Sequence, residues 1–502
     1  MRTHISEPKR ELKRDLYKLP LYGTSQIYGS FKDSVVNVRS ALLERVFYHE
    51  VNGTFSRPFR PIMVANKLRA FKAALVHHIS AIAPIDLLAY PKQTYRGRRL
   101  MVYTRAAEQV HLRGVRHADS ILSTFIKHEK ILVSAKRVVP RVIQPRHPRY
   151  NVEVGRYLHQ IEGSLYRAIA EVYGHITVMK GFNALEQGAM FKEAWASYRR
   201  PVGIGLDASR FDEHVCRALL SWEHSIYEHY YPGDNHLRML LSWQLRNHGF
   251  ARTSDGCVEY VVDGERCSGD MNTAMGNCLD MSAMVHSYLH MHGLAGHGWT
   301  KVRLFNNGDD CMLIGESDQL LPIVAGIPDY FAQLGFVMKV EAPVEVFEQL
   351  VFCQTQPVYV DEVEVRMCRD PRVTLSKDAT MMNYEYASTA LRTQMNAVGM
   401  CGLSLTSGIP VVQSYYVSLA GSVGRAKQRV DPRFFETGFY RLSRGLESKS
   451  RPVSDAARVS FWRAFGIVPD LQIYLEQYFQ SVSPYDILEV PGDQFVKSVI
   501  LC

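Results

Sequence analysis

Two adjacent carboxylates at a tight turn constrain this chain more than any other feature of its sequence. Between Lys301 and Glu316 the residues read KVRLFNNGDDCMLIGE. An apolar run with Val302 and Leu304 leads into Asn306-Asn307-Gly308; Asp309 and Asp310 follow, and a second apolar run covers Cys311 to Ile314. Such runs around an Asn-Gly predict a β-hairpin. Side-by-side acids repel and raise each other's pKa unless a cation lies between them. The turn is therefore a candidate divalent-metal site, its hard oxygen donors suited to Mg2+ or Mn2+. Most Gly-Asp-Asp tripeptides are solvated turns, so the case rests on what precedes this one.

Upstream, Val202 to His214 reads VGIGLDASRFDEH. A short buried strand ends at Asp207, and a helix is expected to run to about Tyr231. If that strand pairs beside the hairpin, Asp207, Asp309 and Asp310 converge, and such a set can hold two divalent ions about 4 Å apart. Asp212 reads either as part of this acidic element or as the cap of the following helix. Cys257 to Met281 lies between the two acidic elements, with a hairpin turn expected at Asp263-Gly264. Ser268-Gly269 then precedes a helix on which Thr273 and Asn277 share a face. That face would hydrogen-bond a ribose, or be a polar first turn capped by Ser268 or Asp270; the residues leave both readings open.

Phe125 to Arg156 concentrates positive charge: Lys127, Lys130, Lys136, Arg137, Arg141, Arg146, Arg149 and Arg156 stand against Glu129 and Glu153. Val138-Val139 and Val142-Ile143 alternate with the charges and predict a strand, while Pro140, Pro145 and Pro148 exclude a helix through the middle. An extended cationic ribbon suits triphosphate and backbone phosphates; a charged, aggregation-resistant edge strand is the plainer reading. Pro91 to Arg105 is basic and aromatic with a turn at Gly97, either a solvated loop leading into a helix or a surface whose Arg96 and Arg98 contact nucleic acid. Helices are expected over Val64–Ala83 and Tyr157–Met179. The net charge of +9 over 502 residues suits an anionic partner. All nine cysteines fall at Cys216 or later without C-x-x-C spacing, which reads as reduced thiols of a cytosolic protein rather than zinc or redox motifs.

Taken together, these pieces resemble the viral RNA-dependent RNA polymerases, closely those of the tombusvirus-like group of positive-strand RNA viruses. Asp207-Ala-Ser-Arg-Phe-Asp212 resembles the family's motif A, Ser268 to Asn277 motif B, Gly308-Asp309-Asp310 motif C, Gly335 to Glu341 motif D and Phe352-Cys353-Gln354 motif E. The ribbon with Lys127, Lys130, Arg141 and Arg146 resembles motif F, and the order F, A, B, C, D, E is the family's. The match spans about Tyr95 to Asp378.

The resemblance implies an α+β right hand with a small antiparallel palm sheet backed by helices. Residues 1–200 would form an N-terminal extension and fingers, 201–384 the palm with part of the fingers, and 385–502 the thumb. Asp207 and Asp309 would ligate two Mg2+ or Mn2+ ions, with Asp310 supporting them. Asp212, Ser268 and Asn277 would read the ribose 2′-hydroxyl, with Thr273 on the same helix. Lys127, Lys136, Arg141 and Arg146 would grip the triphosphate, Lys339 would be the acid for the leaving pyrophosphate, and Gly269 would face RNA. The implied activity is RNA-directed RNA synthesis; a reverse-transcriptase-like polymerase or a non-catalytic basic RNA-binding protein are the rival readings. Expected partners are template and product RNA, ribonucleoside triphosphates, an accessory viral replication protein and further copies of the chain.

Ala73–Tyr90 is interrupted by His77, His78, Pro84 and Asp86 and falls short of a membrane span, and the charged N-terminus is no signal peptide. Relatives often carry an upstream membrane-anchoring region, so this chain reads as the polymerase part of a longer fusion or as a shorter variant. It is expected in the host cytoplasm, held at membrane-associated replication sites by a partner or a fused region. No G-x-x-x-x-G-K-[ST] occurs, which speaks against a P-loop helicase.

Overall fold

The computed structural model describes residues 1–6, 16–18, 26–51, 53–133, 137–382, 389–421, 438–482 and 500–501. Helices and strands are mixed in an α+β arrangement. The sheet that matters most for function has four antiparallel strands, in the order Val302–Asn306, Asp310–Glu316, Pro201–Ala208, Met338–Val340.

Alternation along the central strand explains its place. Val202, Ile204, Leu206 and Ala208 point to one face and join the largest core cluster, with Leu304 and Leu313 from the hairpin and Ile161, Leu165 and Ile169 from the long helix Pro148–Tyr173. The opposite face carries Gly203 and Gly205, where a side chain at Gly203 would collide with Leu350 and one at Gly205 with Glu341. On that face Phe305, Met312 and Ile314 pack against Phe191 of the helix Ala184–Ala196. The largest cluster draws residues from Val64 through Met338, so its packing crosses residue 200 without a seam.

A second sheet has five strands, ordered Arg2–Ile5, Gly256–Asp263, Arg246–Thr253, Leu122–Ile126, Val142–Ile143. The hairpin Arg246–Thr253/Gly256–Asp263 turns at Ser254-Asp255, not at Asp263-Gly264. Gly264, with φ +75°, instead steers the chain out of the strand against the backbone of Arg217. Beyond Tyr359, helices Thr389–Thr406, Val412–Ala420, Asp455–Phe465 and Pro469–Ser481 contribute to a separate core around Tyr415, Tyr416 and Phe461.

Several expected elements shift. The helix expected over Val64–Ala83 is two short helices, Val64–Lys67 and Arg69–Val76. The one expected from Tyr157 begins at Pro148, where proline's missing N–H costs nothing in the first turn. In Pro91–Arg105 the expected helix start is present, at Gly97–Arg113, but the loop before it shrinks to Tyr95-Arg96 because Tyr90–Thr94 is also helical. Among the described residues of the ribbon, Phe125–Ile126 (the end of the strand Leu122–Ile126), Ile131–Leu132 and Val142–Ile143 are strand. Among the described residues no helix is long and apolar enough to cross a membrane.

Candidate active site

Register brings the acidic elements together. Asp207 on the central strand is the cross-strand partner of Asp310 on one side and of Lys339 on the other. In-register partners share a face, with Cβ atoms about 5 Å apart, so two carboxylates and an ammonium form a row across three strands. Asp309 sits in the adjoining turn. All four residues reach solvent, although the protein around the turn still desolvates the carboxylates of Asp309 and Asp310.

The turn is anchored from beneath. Asn306, fully buried, donates to the carbonyl of Cys278 (2.9 Å) and to Ser282 Oγ (3.0 Å), and its Oδ1 accepts from the Gly308 N–H (2.6 Å). Gly308 has φ +100°, a conformation that suits glycine. Lys180 Nζ donates to Asn307 Oδ1 at 2.9 Å, and Asn307 Nδ2 reaches Cys353 Sγ at 3.0 Å. Burial, then the charge of Asp309 and that of Asp207, pushes the Asp310 carboxyl up to about 6. Burial, with Asp212 and Asp207, also raises Asp309. The mutual repulsion expected from adjacent acids is thus present, although Asp207, Asp309 and Asp310 do not gather into a set of donors all within 4.8 Å of one another.

Asp212 lies inside the short helix Phe211–His214 and does not cap it. Its Oδ2 accepts from Ser268 Oγ (2.6 Å) and its Oδ1 from Asn277 Nδ2 (2.9 Å). Neither Ser268 nor Asp270 caps the helix Thr273–Met291, which starts after Asn272. The Thr273 hydroxyl donates to the Cys267 carbonyl at 2.9 Å rather than joining Asn277 at Asp212. Asn277 is oriented by Arg266, whose Nε donates to its Oδ1 at 2.9 Å. Arg266 is buried, bonded to Glu223 and, at 3.0 Å, to Asp280. Despite burial, Arg266 holds Glu223 below the usual carboxylate range, while burial beside Glu223 keeps Asp280 well above it.

The basic segment divides. Arg141 is half exposed, makes a paired contact with Glu129, and feels the charges of Asp309 and Asp212, which places it near the acidic site. Lys127 joins the same Glu129 at 3.3 Å. Arg141, Arg45, Lys130 and Lys377 line a cleft of about 450 Å³, and burial lowers Lys130 to about 8. Arg146 is different. It is 3% exposed and binds Asp270 (2.5 Å), the Ser120 carbonyl (2.7 Å) and Asn247 Oδ1 (2.7 Å). The expectation that Arg146 grips triphosphate is corrected: its donors are taken up inside the fold. Lys136 lies outside the described residues. Gly269 (φ +116°) packs against Pro145, and the Gln144 N–H bonds the Ser268 carbonyl at 2.7 Å, so the ribbon abuts the Ser268 loop. Arg96 bonds the carbonyls of Lys92 and Tyr95, and Arg98 is exposed at the start of the helix Gly97–Arg113. Tyr95 and Tyr103 stack on each other at 4.2 Å instead of offering both ring faces to bases.

Sequence reasoning missed Lys180, Arg266, Glu223 and Asp280. Only Asp280 left a trace, a lone acid in the run Cys278–Val285, which is otherwise apolar but for Ser282.

A family described as viral RNA dependent RNA polymerase matches residues 1–485. The chain is 39% identical over 491 residues to the RNA-directed RNA polymerase of maize chlorotic mottle virus, covering 96% of this chain and 50% of that one. It is 42% identical over 488 residues to that of melon necrotic spot virus (95% and 60%), and 39% identical over 505 residues to that of tobacco necrosis virus strain A (99% and 68%). The chain thus spans between half and about two thirds of the length of these relatives.

Proposed function

The chain belongs to the viral RNA-dependent RNA polymerase family, and from that premise we propose that it synthesises RNA on an RNA template from ribonucleoside triphosphates. The observation that carries the reading is the register of Asp207 against Asp310, with Asp309 at the adjoining turn. In this reading the four-stranded sheet is the palm floor, residues 1–200 supply an extension and fingers, 201–384 the palm, and 385–502 the thumb.

The donors fit divalent cations: three carboxylates, two of them with raised pKa from burial and mutual repulsion. Asp207 and Asp309 would hold Mg2+ or Mn2+ with Asp310 beside them. Two such ions, when bound, would lower the pKa of the attacking 3′-hydroxyl and stabilise charge on the α-phosphate. The chain's own groups do the rest. Asp212, fixed by Ser268 and Asn277, keeps free lone pairs to accept from a ribose 2′-hydroxyl. Arg141 and Lys127 orient the triphosphate, a positioning role of the kind phosphoryl transfer depends on. Lys339, in register with Asp207, stands on the face where pyrophosphate would leave and can donate its proton there. Arg96, Arg98 and Gly269 are RNA contacts in this reading. Membrane attachment through an accessory viral protein or a fused region, and self-association, are the partners it calls for.

The test is one incubation of the purified chain with a short RNA, four ribonucleotides and Mg2+ or Mn2+, with and without primer. Metal-dependent, template-dependent incorporation is expected, with ribonucleotides preferred over deoxyribonucleotides. Preference for deoxyribonucleotides would favour a reverse transcriptase; RNA binding without incorporation would leave a non-catalytic binding protein.

A further inference from the structure

Behind Asp212 lies a second cluster that the reaction above does not use. His49, from the strand His49–Val51, meets Glu213 and His214, the last two residues of the helix Phe211–His214. One donor atom from each lies within 4.8 Å of the other two, the one such His/Cys/Asp/Glu group among the described residues. Glu213 and His214 side chains are 0% and 2% exposed. Both Glu213 oxygens, His214 Nε2 and His49 Nδ1 are buried without any hydrogen-bond partner. His214 Nδ1 lies 3.1 Å from the Arg210 carbonyl and 3.9 Å from Glu213 Oε1, while His49, its Nδ1 without a partner, is oriented by its other nitrogen, Nε2, 3.3 Å from Ser56 Oγ. That is the outer-shell pattern that fixes a metal-binding imidazole.

We propose that His49, Glu213 and His214 bind one zinc-class transition-metal ion, separate from the carboxylate site at Asp207 and Asp309. Two imidazoles and one carboxylate, with a fourth position for water, is a donor set that zinc accepts and that hard Mg2+ does not favour. Donors around tetrahedral zinc lie about 3.3 Å apart, so the cluster needs only a small contraction to close. The neighbouring cations do not satisfy Glu213. Arg210 bonds the Glu44 carbonyl and Arg45 the Val139 carbonyl. An ion here would cross-link the His49 strand to the helix that carries Asp212, stiffening the backbone behind the proposed ribose reader.

Chelator-stripped protein titrated with Co2+ should take up a single equivalent with a visible ligand-field band, displaced by Zn2+ and not by excess Mg2+. His49→Ala, at a half-buried position, should abolish the band, while Asp309→Asn should keep it whatever happens to polymerase activity. X-ray absorption on the zinc-loaded wild type should show two imidazole ligands, a readout that requires no variant to fold. Absence of stoichiometric binding, a band that His49→Ala leaves unchanged, or fewer than two imidazoles around zinc would each overturn the site.

Discussion

Asp309 is the residue on which the catalytic reading is most exposed to test. Its replacement by asparagine keeps size and turn geometry but removes a charge that cations would need. Turnover should fall on the order of 100-fold or more, with RNA affinity nearly unchanged; an incorporation assay paired with filter binding on the purified variant checks both, and near-normal synthesis would end the assignment. Ser268→Ala removes one of two donors orienting Asp212. A lost bond to a carboxylate is worth about 1.5–3 kcal/mol, so discrimination between ribo- and deoxyribonucleotides should drop roughly tenfold while the melting temperature hardly moves. His175 offers a prediction about pH. Its Nε2 accepts from the Leu304 N–H at 3.1 Å, and burial, with the charge of Arg303, lowers its pKa from 6.5 to about 4. The unfolded chain therefore binds this proton first, so the stability His175 contributes is complete above about pH 6.5 and is lost as pH falls towards 4. Urea unfolding of wild type and His175→Gln at pH 7 and 5 should show the wild-type advantage shrinking by about 2 kcal/mol. Asp207 was legible in sequence because it ends the alternating run VGIGL, and Asp309 and Asp310 because they follow an Asn-Gly turn signal between two apolar runs. Arg266, Glu223 and Asp280 were not, because their partnership exists only once helices far apart in the chain are packed.

At the scale of elements, the central strand shows why the run VGIGL is glycine at every second place. Its branched residues fill one core while Leu350 and Glu341 close over the glycines. Gly203→Val should cost about 1–3 kcal/mol by overpacking and should show as a lowered urea midpoint. Removing Arg266 strands two buried acids, and Arg266→Ala should cost about 3–5 kcal/mol and loosen Asn277. Alternation was enough to anticipate this strand and its hairpin partner. It failed at Asp263-Gly264, where two turn signals compete: Ser254-Asp255 closes the hairpin, and the glycine serves the exit from the strand. It yielded no more than a helix start over Pro91–Arg105, because the apolar positions that hold the helix Gly97–Arg113, among them Ala106, Ala107 and Val110, lie mostly beyond the basic stretch and find their core only through tertiary packing.

At the scale of the whole molecule, the division at residue 200 follows the order of the motifs rather than the packing. The face of the central strand formed by Val202, Ile204 and Leu206 is covered in part by Ile161, Leu165 and Ile169, which precede that point. The same cluster takes in Val64, Leu68 and Phe71 from still farther upstream. A fragment of residues 201–384 would keep all three carboxylates, the Ser268 loop and the hairpin, yet expose that apolar face to water. At roughly 1.5–3 kcal/mol for each large side chain uncovered, the loss exceeds the 5–15 kcal/mol by which a domain is normally stable. The fragment should therefore aggregate or lack a cooperative thermal transition, whereas residues 1–384, which retain the helix Pro148–Tyr173, should melt cooperatively, though less stably than the full chain because Val358, Val360, Ala379 and Met381 lose the helices that cover them. Differential scanning calorimetry of the two fragments decides the point. A sharp transition from 201–384 alone would mean that the palm folds independently and that the helix Pro148–Tyr173 merely docks upon it.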